Sequence, residues 1–316
     1  MHQKPVRARV VLLVAWLGLC CGPLAAADFP TRPIRLIVPF PPGGNTDILA
    51  RILGQKVTED WRQQVVIDNR PGAAGLLGAD IVAKGSSDGY TLLMTALGGI
   101  TVENLKSFAP LMLVATAPSV LVVHPSVKAN SVKELLDYAR ANPGKLNFGS
   151  SGPGSQSHLG PELLKSMAKV DFTHIPYKGA GQSIADLLGG QVQFLMSPYG
   201  ALSSHIKAGK LRALAVTSVK RASSTPDLPT LAESGVPGYE ASGWFGMLAP
   251  VHISKEVLTK LNVEFNRALT LPDVKERLSA LAMEAGGGSP DDFARFIKAD
   301  TEKWARIIKE AGITMQ

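Results

Sequence analysis

Apolar residues recur along this chain with two different periods. Ile34, Leu36, Ile37 and Val38 form a short run broken only by Arg35 and bounded by prolines, which predicts a buried strand. Pro39, Pro41 and Pro42 end it, because proline has no N–H for a sheet ladder. Gly43 and Gly44 then free the backbone. From Thr46 the period changes, and Ile48, Leu49, Ile52, Leu53 and Val57 recur at helical spacing. Val65–Ile67 predicts a second strand, Asn69–Gly72 a turn, Ala73–Ala83 a small-residue helix and Tyr90–Met94 a third strand after the Asp88-Gly89 turn. The resulting βαβαβ order is that of a parallel sheet with crossover helices.

The same grammar continues. Leu111–Val123 holds two strands parted at Ala117-Pro118-Ser119. Ser131 and Glu134 have capping-box spacing ahead of a helix that runs to about Ala141. Strands are expected at Leu146–Phe148, Asp171–Pro176, Val192–Met196 and Leu211–Val216, with helices from His158 to Ala168, Gln182 to Leu188 and Leu202 to Lys207. Ser197–Gly200 reads as a turn. Lys220–Ser242, rich in Ser, Pro and Gly, reads as a long connector before a strand at Ser242–Leu248. Helices at Ser254–Thr270, Pro272–Leu281 and Pro290–Ala311 close the chain. The last carries a stripe of Phe293, Phe296, Ile297, Trp304, Ile307 and Ile308, expected to be core packing.

Three junctions repeat one design, a strand running through a glycine turn into a helix. They are Pro39–Asp47, Gly149–Ser157 and Tyr177–Gly181. The first amides of a helix have no partner within it, and that end carries partial positive charge, which suits a carboxylate. In the second junction Ser150, Ser151, Ser155 and Ser157 add hydroxyl donors. Plain capped turns would also satisfy these patterns. Asp47, in a first helical turn, fits either a pocket contact or a cap.

Composition narrows the class. The chain has 316 residues, 45% of them apolar and 19% charged, so it can bury a full α/β core. The formal net charge of +7 comes without any run of basic residues, which argues against nucleic acid as a partner. Lys4, Arg7 and Arg9, the apolar segment Val10–Leu19 and Ala25-Ala26-Ala27 form an export signal, with cleavage expected after Ala27. Its loss lowers the net charge to +4 and removes Cys20 and Cys21, the chain's two cysteines. Leu19 before Cys20 argues against a lipid anchor. The exported product is expected in the periplasm, without disulfides and without a membrane span.

The chemistry of an enzyme is missing from the pattern. Gly72, Gly75 and Gly78 are spaced by three, unlike a dinucleotide loop. Pro153 stands where a hydrolase elbow needs glycine after Ser151. The five histidines beyond the signal, at 124, 158, 174, 205 and 252, lack metal-site spacing. No cofactor, metal or catalytic residue is expected. His158, just past the serine-rich junction, fits a structural role better than a ligand contact.

A resemblance covers nearly the whole exported chain. It is carried by Phe29–Arg51, Asp68–Gly75 (Asp-Asn-Arg-Pro-Gly-Ala-Ala-Gly), Asp88–Met94, Pro176–Gly179, Ala208–Thr217 and Trp244–Pro250, in that order. These segments resemble the tripartite tricarboxylate transporter substrate-binding family, the Bug-type receptors. The resemblance implies an α/β, two-lobed periplasmic binding protein, type II-like, with two crossing segments and a ligand cleft between the lobes. Lobe one would take 28–118 and 243–316, and lobe two 119–242. The implied ligand contacts are Pro42, Gly43, Gly44, Asn45, Thr46 and Asp47 from the first junction, and Ser150, Ser151, Gly152, Ser155 and Gln156 from the second. Thr95, Gly179, Ala180 and Ser197 complete the expected set. The implied ligand is a small carboxylate: a di- or tricarboxylate, an aromatic acid or an acidic amino acid. The implied partner is a transporter permease, or a sensor protein in a signalling system, with the receptor itself a monomer. Two departures from the family's usual pattern stand out. Thr95–Phe108 is short where relatives carry a longer insert, and Ser197 stands where many have Asp.

Overall fold

The computed structural model describes residues 29–96 and 99–313, so the expected export signal lies outside the described residues. The chain opens with β1 (Ile34–Val38), α1 (Asn45–Trp61), β2 (Val65–Asn69), a 3-10 turn at Ala73–Gly75, α2 (Leu76–Ala83), β3 (Thr91–Ala96), α3 (Val102–Leu105) and β4 (Phe108–Ala117). It continues through β5 (Ser119–Val123), α4 (Val132–Ala141), β6 (Asn147–Ser150), α5 (Gln156–Ala168), β7 (Thr173–Pro176), α6 (Ala180–Leu188), β8 (Phe194–Pro198), α7 (Tyr199–Lys207) and β9 (Arg212–Val216). Then come β10 (Gly243–Pro250), α8 (Lys255–Thr270), α9 (Pro272–Ala280), β11 (Glu284–Gly287) and α10 (Pro290–Glu310).

These strands form two sheets, ordered β11-β4-β10-β3-β1-β2 and β7-β6-β8-β5-β9. β1 runs parallel to β2 and β3, and β10 runs antiparallel to β3 and β4. In the second sheet β6 is parallel to β7 and β8, while β5 is antiparallel to β8 and β9.

The apolar runs of β1 and β3 follow from burial on both faces. Leu36 and Val38 join Leu92 and Met94 in a core under α1 and α8, where Leu49, Leu53, Leu261 and Phe265 pack. Ile37 and Leu93 point the other way, to Trp244, Phe293 and Ile297. The second sheet repeats this two-sided arrangement, with Leu121, Phe148 and Phe194 on one face and Val120, Val122 and Leu195 on the other.

Helix α10 serves both cores. Its Phe293 and Ile297 pack with the first sheet, and its Trp304 and Ile307 pack with the second. Gly246 makes room for this helix, since a Cβ there would lie 2.1 Å from Phe293 Cζ. The passages between the sheets are stitched side by side. Ser119 N donates to Thr217 Oγ1 (2.9 Å), Thr217 N to Ser119 O (2.9 Å) and Ala241 N to Thr217 O (3.0 Å).

Several local expectations change. The helix expected over Ala73–Ala83 is split, because Gly75 sits at φ 101° and α2 starts only after it. The Ser131 hydroxyl accepts from Glu134 N, but the Glu134 carboxylate reaches one residue further back, to Asn130 N, so the reciprocal box does not close. α5 and α6 begin two residues earlier than expected, behind Ser155 and Gly179. The expected turn at Ser197–Gly200 is the end of β8 running directly into α7. α3 is a four-residue turn capped by Thr101, too short for a periodic signal. β11 contains Gly286 and Gly287, which lower strand propensity.

Candidate functional site

Strand direction determines where the loops go. β1, β2 and β3 are parallel, so their C-terminal ends share one edge of the first sheet. Gly243, at the start of β10, lies opposite Ala117 at the end of β4, and Phe245 opposite Ala96 at the end of β3. The same edge therefore carries the crossing segments. In the second sheet Ser150 pairs with Pro176, and Pro198 with Ser119, so the ends of β6, β7 and β8 lie where the chain arrives from the first sheet. The loops after β1 and β3 and those after β6 and β7 thus flank the two crossings. Ligands in open α/β sheets bind beyond the carboxyl ends of strands, at such topological switch points.

The first loop is built around Asp47. The Asp47 carboxylate accepts from Gly43 N (2.9 Å), Arg51 Nε (2.9 Å) and Asn69 Nδ2 (3.0 Å). Asn69 Nδ2 also donates to Phe40 O (3.1 Å), tying β2 to the loop. Burial alone would raise the Asp47 pKa, but the bonds from Arg51, Gly43 and Asn69 together hold it below the ordinary value. Asp47 therefore shapes the loop from below. Thr46 is buried with it, while Pro42, Gly43, Gly44 and Asn45 are exposed. Gly43 takes φ 84°, and nothing lies within 4 Å of a Cβ built on it. Gly44 caps α1 without any side-chain bond, and an α-helix has no intrahelical partner for its first amides.

The second loop is a hydroxyl network. Ser151 N donates to Ser157 Oγ (2.9 Å), and Ser155 Oγ donates to Gly152 O (2.7 Å). Ser151 Oγ and Ser155 Oγ each lie 3.1 Å from Ser157 Oγ. Ser150, fully buried, accepts from Gly152 N (3.1 Å) and meets His174 Nε2 at 2.6 Å. Gln156 Nε2 reaches the second crossing and donates to Ala241 O (2.9 Å). A Cβ on Gly243 would lie 2.6 Å from Gln156 Oε1, so the glycine and the glutamine fit each other at the crossing.

The remaining expected residues differ in setting. Gly152 lies beside the third junction, since its Cβ would stand 3.4 Å from Tyr177 O. Gly179 faces open space and Ala180 is exposed. Thr95 is fully buried at the end of β3, and a Cβ on Gly99 would strike its Oγ1 at 2.3 Å. Ser197 is buried within β8, paired in register with Val120.

Sequence reasoning missed Asn69, which ties β2 to the first loop, and the stacking of His158 on His174, whose ring centroids are 3.7 Å apart. It also missed Tyr177, whose hydroxyl donates to Asp186 (2.7 Å); burial first, then that carboxylate, pushes its pKa up to about 12. Among the described residues there is no group of three or more His, Cys, Asp or Glu that could hold a metal, and no helix long and apolar enough to cross a membrane.

Residues 49–313 match the family profile described as "Tripartite tricarboxylate transporter family receptor". The chain belongs to this receptor family. The receptor is 36% identical to "Protein BugT" of Bordetella pertussis, over the full length of both chains. Among solved structures it is similar to "R. palustris Rpa4515 with adipate", at 38% identity and TM-score 0.72, covering 91% of this chain and 99% of that one. It is similar also to "MatC (Rpa3494) from Rhodopseudomonas palustris with bound malate", at 29% identity and TM-score 0.68, covering 89% and 100%. The receptor thus has the two-lobed α/β fold of periplasmic solute-binding proteins. It is a binding protein and not an enzyme, as its family and structural relatives are.

Proposed function

We propose that this receptor captures a small dicarboxylate between its two sheets, one lobe comprising 28–118 with 243–316 and the other 119–242. It would hand the ligand, unaltered, to the membrane permease of a tripartite tricarboxylate-type transporter. The observation that carries this reading is the placement of two glycine-bearing strand-to-helix loops, 42–47 and 150–156, on the strand ends flanking the crossings. Each would hold one carboxylate, through the first amides of α1 on one side and the Ser150–Gln156 amides and hydroxyls on the other. Closure of the lobes would exclude bulk water and strengthen those bonds. Adipate and malate in the related structures are both dicarboxylates, which supports the ligand class.

The bonding of Asp47 sharpens the choice of ligand. Its carboxylate is already engaged by Gly43, Arg51 and Asn69, and position 197 is serine. Neither offers a free negative charge to an ammonium group, so a plain diacid is favoured over an acidic amino acid. In this reading the product is periplasmic, exported by residues 1–27, and acts as a monomer. The same capture would also serve a ligand sensor.

Titration calorimetry with adipate, malate, citrate, benzoate and glutamate tests the proposal. One or more of the diacids should bind with a stoichiometry of one per chain and raise the melting temperature. Binding of glutamate or benzoate alone, or of none of the five, would overturn it.

A further inference from the structure

Two imidazoles lie under the serine-rich loop. His158, on the first turns of α5, and His174, on β7, stack with ring centroids 3.7 Å apart and planes 11° apart. Phe148 on β6 stacks on His174 at 4.9 Å. Each imidazole holds a different part of the loop. His158 Nδ1 accepts from Gly154 N (3.1 Å), and His174 Nε2 meets Ser150 Oγ (2.6 Å), which in turn accepts from Gly152 N. Gly152 and Gly154 sit at φ 133° and 73°, backbone that is held by such bonds and not by side-chain packing of its own.

The bonding specifies protonation. An Nδ1 that accepts from a backbone N–H carries a lone pair, so His158 is neutral with its proton on Nε2, 3.9 Å from Glu162 Oε1. A proton on Nδ1 would set two N–H groups against each other and release Gly154. Two rings in face-to-face contact also cannot both carry charge cheaply.

We propose that His158 and His174 are positioning residues for the 150–157 loop, and that His158 holds Gly154, and with it the loop's ligand-receiving shape, only while its ring is neutral. The proposal rests on the reading that this loop receives a carboxylate. Acidification then unlatches the loop from beneath, and diacid affinity falls with it. The charged groups around the pair are Glu162 and Lys165 on α5 and Asp171 ahead of β7, with Glu310 of α10 lining the same hollow as Glu162. Lys165 is paired with Asp171 at 3.0 Å, so it neutralises that carboxylate. Burial raises the pKa of Glu162, 3.9 Å from His158 Nε2, which weakens it as a partner for an imidazolium. Burial lowers the pKa of both imidazoles, and His158 lowers that of His174 further.

Hydrogen exchange across 150–157, in the mature protein without ligand, tests the positioning role directly. At neutral pH, His158→Leu should speed exchange at Gly154 about tenfold, the loss of one hydrogen bond. His158→Asn keeps an acceptor near the Nδ1 position and should restore protection. In the wild-type protein, protection corrected for intrinsic rates should fall as pH drops below the ordinary histidine value of 6.5. The 42–47 loop should not change, and His158→Asn should lack the step. Wild-type protection unchanged with pH, or no difference between the Leu and Asn variants, would overturn the proposal. Should His158→Leu fail to fold, the wild-type pH profile and His158→Asn still decide it. Adipate affinity of the same proteins separates the two readings. A loop that opens as expected while adipate affinity stays constant would uphold the positioning role and refute the loop as ligand site.

Discussion

A negative charge placed in the first loop tests the carboxylate reading most sharply. Gly43 takes φ 84° and is exposed, with open space around its missing side chain. Gly43→Asp and Gly43→Asn therefore meet no steric clash, and both pay the same left-handed backbone cost of about 1 kcal/mol or less, since Asn and Asp are the side chains that best tolerate it. The two variants differ by a charge. A ligand carboxylate on the first amides of α1 would lie roughly 5 Å from that charge, where Coulomb repulsion is about 1–3 kcal/mol between bulk-water and surface screening. Gly43→Asp should thus bind adipate about 5- to 150-fold more weakly than Gly43→Asn at low salt. The gap should narrow as salt rises toward physiological strength. Calorimetry measures both affinities, and thermal melts should show both variants folded, with Asp slightly less stable because the Asp47 carboxylate lies beside Gly43 N. Equal affinities for the Asp and Asn variants, at low salt and with both folded, would refute the placement of a carboxylate at this helix start.

Other consequences can be checked separately. Asp47→Ala removes the acceptor of Gly43 N and Arg51 Nε and one of the two acceptors of Asn69 Nδ2, so denaturant unfolding should show a loss of about 1–3 kcal/mol. Gly246→Ala drives a Cβ into Phe293 on the shared helix and should cost about 1–3 kcal/mol, readable in the same assay. Burial and His158 push the His174 pKa down to about 4, against 6.5 in the unfolded chain. Acid therefore protonates the unfolded state first. This ring's contribution to stability is full above pH 6.5 and is lost progressively toward about pH 4, by about 1–2 kcal/mol once solvent screening of the half-buried ring is allowed for, and His174→Gln should flatten that slope.

Much of this architecture could be read in the chain because its strands are buried on both faces. Ile34–Val38, broken only by Arg35, and Val120–Val123 are apolar without alternation, and prolines stand close to their ends. The junction at Pro39–Asp47 was legible for the same reason: a change of period stands directly beside two glycines. Backbone geometry was less accessible. Nothing in Ala73–Ala83 signals that Gly75 adopts φ 101° and divides the segment. The side-chain partners of the loops were hidden by distance in sequence. Asn69 reaches Asp47 across 22 positions, and His174 reaches Ser150 across 24, contacts that only the parallel pairing of β1 with β2 and of β6 with β7 creates. Residue type alone left Asp47 open between pocket and cap, and it could not show that Gly43, Arg51 and Asn69 all donate to its carboxylate.

The central claim is that a diacid bridges two loops on opposite sheets. A crystal structure of the mature receptor grown with adipate tests it most directly. The account predicts one carboxylate on the amides of 44–47 and the other on the amides and hydroxyls of 150–156, with the lobes closed around the chain between them. Adipate bound away from these loops, or held by one of them with the other facing solvent, would contradict it.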